Sequence, residues 1–545
     1  MNRLKRYLLA FAVVGLGALA GALAGEGKKA QTSAADQFLT RFGSLVHAVM
    51  ANAPKPVTPS DLVYSSIDGI LDLLDPHSSF LRPEMFSSMR ERQQGSFHGI
   101  GVIISMRGGR VTVVTPIEGT PAARLGLRAG DVIERVDDVS TEGMNLDDVA
   151  RRLRGLEGTT VKVSITRPGL KEPLEFTIQR GRVPTDSVRF AFMIGDDTAY
   201  IRINDFTRTT GRETRAALER LMAEGATRLL LDLRQNPGGI VDSAVEVAGM
   251  LLAPGQRVFS TRGRTADSYQ DYRASRDGLH FEGPLVVLIN SGSASAAEIV
   301  AGAVQDHDRG LVVGEPSFGK GVVQTIYPVR DSGLALTTAK YYTPSGRCIQ
   351  RDFDSLYAYT HPDRSGDGTD ARRPRATTPQ QQDEVFFTDA GRKVYGGGGI
   401  VPDHYVAQGE YSARVVRLLA NSAFFHFAVE YLAGFTDKEA AARAFTADDE
   451  MLARFRALAL EKEWSTAEEL DAALTDPTDR RDIAIQLRTE VLNAGVSLTE
   501  GYRAAIASDA QIQDALGRFE EASRLQAQAA ARARPAQQAK LPPRP

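Results

Sequence analysis

The chain has 545 residues, 42% of them hydrophobic and 24% charged, with a formal net charge of −3. That length exceeds what one core organises, so several domains are expected, and the near-neutral balance argues against nucleic acid as a partner. Cys348 is the single cysteine, which excludes an intramolecular disulfide and a cysteine-rich metal site.

Residues 1–25 open with the basic stretch Asn2-Arg3-Leu4-Lys5-Arg6, followed by an apolar run over residues 7–25 with Ala22-Leu23-Ala24 as a small-x-small cleavage site. This is the pattern of a signal peptide or a membrane anchor, and it predicts a periplasmic or otherwise extracytoplasmic protein. Membrane contact is expected through this segment alone. Residues 35–95 read as helical, with Phe38, Phe42, Leu45 and Val46 at helical spacing and a break at Pro54–Pro59. Over 96–182 the period becomes that of strands, with turns at Gly108-Gly109 and Gly130-Asp131 and helices near Pro121 and over 145–155. Residues 183–408 alternate apolar strands ("TAYIRI", "RLLLDLR", "PLVVLIN", "GLVVGE") with helices, an α/β layered pattern. A polar surface insertion is expected at 352–395, a helical region at 412–530 and a disordered tail at 531–545.

"VVGEPSFGKG" (312–321) resembles a phosphate-binding loop, but Gly321 stands where a magnesium-binding hydroxyl is needed, and "GVVQTIYPV" continues as a strand rather than a helix. A lysine in an apolar setting has another use: desolvation disfavours its charged form, so it can serve as a general base. A solvated turn lysine is the plainer reading of Lys320 taken alone.

Upstream, "PLVVLINSGSASAAEIVAGAVQD" (284–306) reads as strand, tight Gly/Ser turn and helix, the geometry that presents a nucleophile beside free backbone N–H groups. Ser291, Ser293 and Ser295 compete for the role, and a serine that merely caps the helix is the alternative. None of the eight histidines sits in a Ser-His-Asp context, and His307 reads as a solvated helix-end residue. A Ser–Lys dyad is the chemistry that remains.

From "LDPHSSFL" through "GIGVII", "LDLRQNPGG", "SGSASAAEIVAGAVQDHDRGLVVGEPSFGKGVVQ" and "YYTPSGRCIQ" to "GGGGIVPD", the chain resembles the carboxyl-terminal processing (tail-specific) serine proteases over about 35–405. The resemblance implies a multidomain α+β protein: N-terminal helices, a PDZ domain at 96–182, a crotonase-like layered α/β Ser-Lys protease core at 183–408, and a C-terminal helical region. It implies Ser295 as nucleophile, Lys320 as base and Gln324 as the residue orienting that lysine, the four-residue spacing placing both side chains on one face of a strand. The oxyanion hole falls to the N–H groups of Gly239 and Ala296, with Asp306 and Glu298 supporting the site. Here Ala297 precedes Glu298 where the family more often has serine, a departure that leaves the dyad intact.

The 96–182 module resembles a PDZ domain whose carboxylate-binding loop is Gly99-Ile100-Gly101-Val102, with the next strand taking a peptide by β-addition. Arg167 reads as a solvated strand-end arginine. Together these imply an exported serine endopeptidase that captures protein tails with unstructured apolar C-termini and needs no cofactor or metal. An adaptor or regulator and a homo-oligomer remain open as partners. The rival reading is a catalytically silent PDZ scaffold on the same fold, which the joint presence of Ser295, Lys320 and Gln324 disfavours.

Overall fold

Residues 34–351 and 384–538 are described by the computed structural model. The segment read as a signal or anchor, residues 352–383 of the expected insertion and the last seven residues lie outside them. Among the described residues no helix is long and apolar enough to cross a membrane. The described residues divide into two compact units, one up to Phe80 and one from Leu81 onward.

In the first unit, helices Ala34–Asn52 and Pro59–Leu71 follow the apolar spacing. Thr58 ends the intervening break by accepting the Asp61 N–H on its hydroxyl at 3.1 Å, and Pro59 supplies a preset first-turn φ.

The second unit begins with helix Pro83–Gln94, which Gly95 stops in the left-handed region at φ 67°. Strand Ser96–Gly99 then pairs antiparallel with Gly181–Pro184, bringing together the two ends of a β-rich module. Its main sheet runs in the order Val102–Arg107, Arg110–Pro116, Val132–Val136, Thr160–Thr166, Leu174–Gln179. Val113, Val136, Val163, Ile165 and Ile178 alternate inward and are fully buried against Val149 of helix Leu146–Leu153. Strand Val102–Arg107 is one of the two outer strands of that sheet.

The next sheet has the order Val188–Ile194, Thr198–Ile203, Arg228–Asp232, Leu285–Ile289, Leu311–Gly314, His404–Tyr405; the first pair is antiparallel and the rest are parallel. Its central strands are continuous apolar runs because both faces are covered. Leu229, Leu231, Leu285 and Val287 meet helices Thr210–Ala223, Val241–Leu251 and Ala296–Asp306 on one face. Leu230, Val286, Leu288 and Val313 meet Ile512, Phe519 and Ala522 of the C-terminal helices on the other. A second, antiparallel sheet contains Val322–Val329, Ser332–Tyr342, Arg257–Gly263 and Gln270–Arg273 in that order.

Several segments depart from the sequence reading. The edge strand Val188–Ile194 and the hairpin Arg257–Gly263/Gln270–Arg273 carry partly exposed, mixed patterns that periodicity does not single out. Residues 384–395 are no loose insertion: strands Val385–Phe387 and Lys393–Tyr395 pair, and Arg392 reaches the buried Asp308 at 2.6 Å. The last described helix, Phe519–Gln538, runs past residue 530, where the tail was expected to begin. The C-terminal helices also do two jobs. Those over 413–495 build their own core around Phe424, Phe427, Phe455, Ile483 and Leu487, while those from Leu498 onward cover the sheet.

Candidate active site

The strand Leu285–Ile289 delivers the chain to a turn in which three serines part ways. Ser291 is exposed. Ser293 is fully buried, its hydroxyl donating to the Leu233 carbonyl at 2.8 Å and accepting the Asn290 N–H at 3.0 Å, so it is structural. Ser295 is only partly buried and sits at φ 54°, ψ −113° on the first step into helix Ala296–Asp306. A non-glycine residue in that region stores strain of order 1–3 kcal/mol, and such strain concentrates at reactive turns. Of the three serines, Ser295 is the one with a strained backbone.

One side chain holds this elbow against the lysine loop. Glu298 is completely buried one turn into the helix. Its Oε2 accepts the backbone N–H of Ser295 at 2.7 Å and that of Lys320 at 2.9 Å; its Oε1 accepts the Gly319 N–H at 2.7 Å and the Ser317 hydroxyl at 2.5 Å. Burial raises its pKa, and the four donors only partly offset that. Because Ser295 and Lys320 converge on a single oxygen atom, their backbones lie less than two hydrogen-bond lengths apart. Further ties fix the loop: the Phe318 N–H donates to the Ser293 carbonyl, the Ser317 N–H to Ile400, and the Gly321 N–H to Gln350 Oε1.

Lys320 itself is partly buried, and its Nζ donates to Gln324 Oε1 at 2.9 Å. Strand Val322–Val329 follows directly, so the loop does not lead into a helix as a phosphate-binding loop must. The reason for the Lys320–Gln324 pairing differs from the expected strand alternation. The strand starts only at Val322, and its register slips between Val323 and Gln324. The pair therefore meets across a bulge, which re-aims a side chain.

The turn Asn236-Pro237-Gly238-Gly239 lies against the elbow. The Asn236 carbonyl accepts the Ala294 N–H at 2.9 Å, and its side chain donates to the Ile203 carbonyl while accepting the Gly238 N–H. Gly238, at φ 95°, approaches so closely that a Cβ there would lie 2.8 Å from Ser295 Cβ and 2.9 Å from Ala296 N. With the Gly238 N–H taken, the next amide, that of Gly239, has no acceptor among the described residues, and neither has that of Ala296. Two N–H donors beside a strained serine can stabilise an oxyanion.

Asp306 closes the helix away from the serine. Its carboxylate pairs with the fully buried Arg347 at 2.7 Å and accepts the Ser345 N–H. His307, expected to be solvated, is instead largely buried, with Nδ1 2.7 Å from Asp389 and Nε2 2.7 Å from the Arg257 carbonyl. Sequence spacing gives no sign of Tyr341, whose hydroxyl donates to the Ser295 carbonyl at 3.3 Å from the second sheet. Nor does it mark Asn236 and Arg347, which act through contacts between distant segments.

In the β-rich module, Gly101 at φ 82° faces Thr120, where a Cβ would lie within 2.3 Å. Thr120 Oγ1 donates to the Gly101 carbonyl, and the Ile100 carbonyl accepts the Ala122 N–H. The loop Gly99–Val102 is thus pinned by its carbonyls at the head of the outer strand Val102–Arg107, the arrangement that lets amides face a chain terminus. Arg167 is no solvated arginine: it forks onto the buried Asp131 at 2.7 and 2.8 Å, which raises its pKa. The described residues contain no cluster of His, Cys, Asp or Glu able to hold a metal ion.

Comparison with known proteins gives two domain matches: Peptidase family S41 over residues 197–356 and PDZ domain over residues 112–167. The chain is 40% identical over 317 residues to the carboxy-terminal-processing protease of Bartonella bacilliformis, covering 57% of this chain and 72% of that protein. It is 34% identical over 305 residues to the carboxyl-terminal-processing protease of Synechocystis, covering 54% and 70%. Among solved structures, the photosystem II D1 C-terminal processing protease shares 32% identity over 57% of this chain and 89% of its own, with a TM-score of 0.33.

Proposed function

Since this chain belongs to the carboxy-terminal-processing protease family, we propose that it is an exported endopeptidase that cleaves proteins near their C-termini with Ser295 as nucleophile and Lys320 as general base. It is a serine endopeptidase whose PDZ domain binds the substrate's tail. The observation that carries the assignment of residues is the buried Glu298 carboxylate, one oxygen of which accepts the amides of both Ser295 and Lys320.

The steps follow from that arrangement. A tail adds to the edge of strand Val102–Arg107 with its terminal carboxylate at Gly99–Val102, which raises the effective concentration of the upstream peptide bond at the serine. The neutral Lys320 amine, oriented by Gln324, takes the Ser295 hydroxyl proton as Oγ attacks the carbonyl carbon. The carbonyl oxygen becomes an oxyanion held by the Gly239 and Ala296 N–H groups. On collapse the C–N bond breaks and the lysine ammonium returns its proton to the leaving amine. A water molecule, deprotonated by Lys320, then hydrolyses the acyl-enzyme and regenerates Ser295.

Export is part of the proposal, supported by the basic start and apolar run over residues 2–25, with the catalytic part outside the cytoplasm. Cell fractionation combined with N-terminal sequencing of the mature chain tests it. A protein found in the cytoplasm with its N-terminus intact would reject it.

The catalytic assignment is tested on a folded reporter bearing an unstructured apolar tail. Wild type is expected to remove the tail, while Ser295→Ala and Lys320→Ala are expected to lose at least about a thousandfold in rate, as loss of nucleophile or base requires. Full activity in Lys320→Ala would remove the lysine from the mechanism. A wild type that binds the tail without cutting it would favour the scaffold reading.

A further inference from the structure

The C-terminal helices that cover the sheet bring charge to a buried spot directly before the oxyanion turn. Arg234 precedes Gln235-Asn236-Pro237-Gly238-Gly239 and is 6% exposed. Its guanidinium is shared between two carboxylates, one two residues away and one from the C-terminal helices. Asp232, fully buried at the end of strand Arg228–Asp232, takes Nη2 at 2.7 Å. Asp509 takes Nη1 at 2.8 and 3.1 Å, and Gln511 Oε1 takes the same nitrogen at 2.8 Å.

Tyr502 extends the network. Its hydroxyl meets that of Tyr200 at 2.9 Å and accepts from Arg202, its ring stacks on Phe190 at 4.0 Å, and the Tyr200 hydroxyl donates to Asp232 at 2.7 Å. Without Asp509, two arginines, Arg202 and Arg234, would face the single carboxylate of Asp232. A buried cation that loses its partner must move or hydrate. Arg234 has little room to move without its neighbours, because its own N–H is bound to Asp232 Oδ1 and the Gln235 N–H to Asn290.

From this geometry we infer that Asp509, carried by the C-terminal helices, is a positioning residue for the oxyanion turn, so that catalysis at Ser295 depends on a residue 275 positions from Arg234. The inference rests on the protease reading above. Asp509 holds Arg234 by hydrogen bonds, and the backbone carries that anchor through Gln235, whose N–H is bound to Asn290 Oδ1, to Asn236, whose carbonyl holds the Ala294 N–H and whose side chain holds the Gly238 N–H. A displacement of about 1 Å at an oxyanion donor is enough to cost on the order of a hundredfold in rate.

Asp509 also caps helix Ala510–Leu516 by accepting the Gln511 and Ile512 N–H groups. Asp509→Asn separates the two roles, since asparagine caps a helix as well as aspartate but brings no charge to Arg234. The full-length protein is compared as wild type, Asp509→Asn, Asp509→Glu and Ser508→Ala, the last altering an exposed hydroxyl that bonds the Ala505 carbonyl at 3.4 Å. Three quantities are read: kcat and KM on the tailed reporter, inhibition by a peptide boronate that forms a tetrahedral adduct, and amide hydrogen exchange across residues 233–240.

Asp509→Asn is expected to lower kcat about ten- to a hundredfold with KM within about twofold, to weaken the boronate in proportion, and to speed exchange of 233–240. Asp509→Glu should recover part of each loss, and Ser508→Ala should change nothing. Unchanged exchange and boronate affinity in Asp509→Asn would overturn the inference, as would an equal loss in KM together with general unfolding. Faster exchange in a chain whose wild type cuts no tail would keep the positioning role and reject the protease reading instead.

Discussion

Glu298 shows how one residue governs the site. A completely buried carboxylate is costly unless its lone pairs are filled, and here three backbone N–H groups and one hydroxyl fill them. Glu298→Gln keeps the volume but replaces one acceptor oxygen by an NH2 group, leaving at least one buried N–H without a partner at about 1–3 kcal/mol each. The expected result is a melting temperature lower by several degrees and a kcat reduced by about a hundredfold, with tail binding unchanged. A thermal melt, the cleavage rate on the tailed reporter and a peptide-binding isotherm on the same samples check it. Gly238 is equally exacting, since its φ of 95° and the neighbouring backbone exclude a side chain. Gly238→Ala should lose activity while the PDZ domain still binds tails, which separates the elbow from the capture site in one assay.

Among the elements, helix Ala296–Asp306 is held at both ends by charge. Its far end rests on the Asp306–Arg347 pair, 0% and 1% exposed. Arg347→Met should destabilise the core by about 3–5 kcal/mol, because it strands a buried carboxylate, whereas Arg347→Met combined with Asp306→Asn should recover part of the loss. Denaturant titration of the two variants decides this. His307 adds a pH term just beyond the helix. Burial lowers its pKa, but the Asp389 hydrogen bond and the Arg257 carbonyl outweigh burial, so the net shift is upward. A raised folded-state pKa favours the charged form in the folded protein. The stabilisation is therefore complete below the ordinary histidine range near pH 6.5 and is lost as pH rises through the higher folded value. The melting temperature of wild type should fall relative to His307→Gln as pH is raised across that window, and parallel curves would refute it.

Over the whole molecule, the C-terminal region acts as a frame rather than an appendage. Its bundle over 413–495 meets the PDZ domain where Arg107 stacks over the Phe425 ring at 4.5 Å and where a Cβ on Gly130 would lie 2.9 Å from Val429. Phe425 is 2% exposed, so Phe425→Ala removes a large buried ring at a cost of about 3–5 kcal/mol. Amide exchange is expected to quicken in residues 107–116 and 126–131 of the PDZ domain and to stay unchanged in strand Leu285–Ile289. Uniform quickening, or none, would show that the bundle does not brace that domain.

The sequence by itself determined what rests on local pattern and on motifs. Apolar runs such as "LVVLI" specify strands covered on both faces, the spacing of Phe38, Phe42, Leu45 and Val46 specifies a helix, and the serine and lysine segments carry the family resemblance. Tertiary structure alone decided what depends on residues far apart in the chain. It separated the strained Ser295 from the buried Ser293, set the Lys320–Gln324 pair across a bulge, and buried His307 and Arg167, which local polarity had placed in solvent. It also joined Asp509 to Arg234 across the sheet. Periodicity reports which face of an element is buried, whereas hydrogen-bond partners and backbone strain are fixed only when separate elements meet.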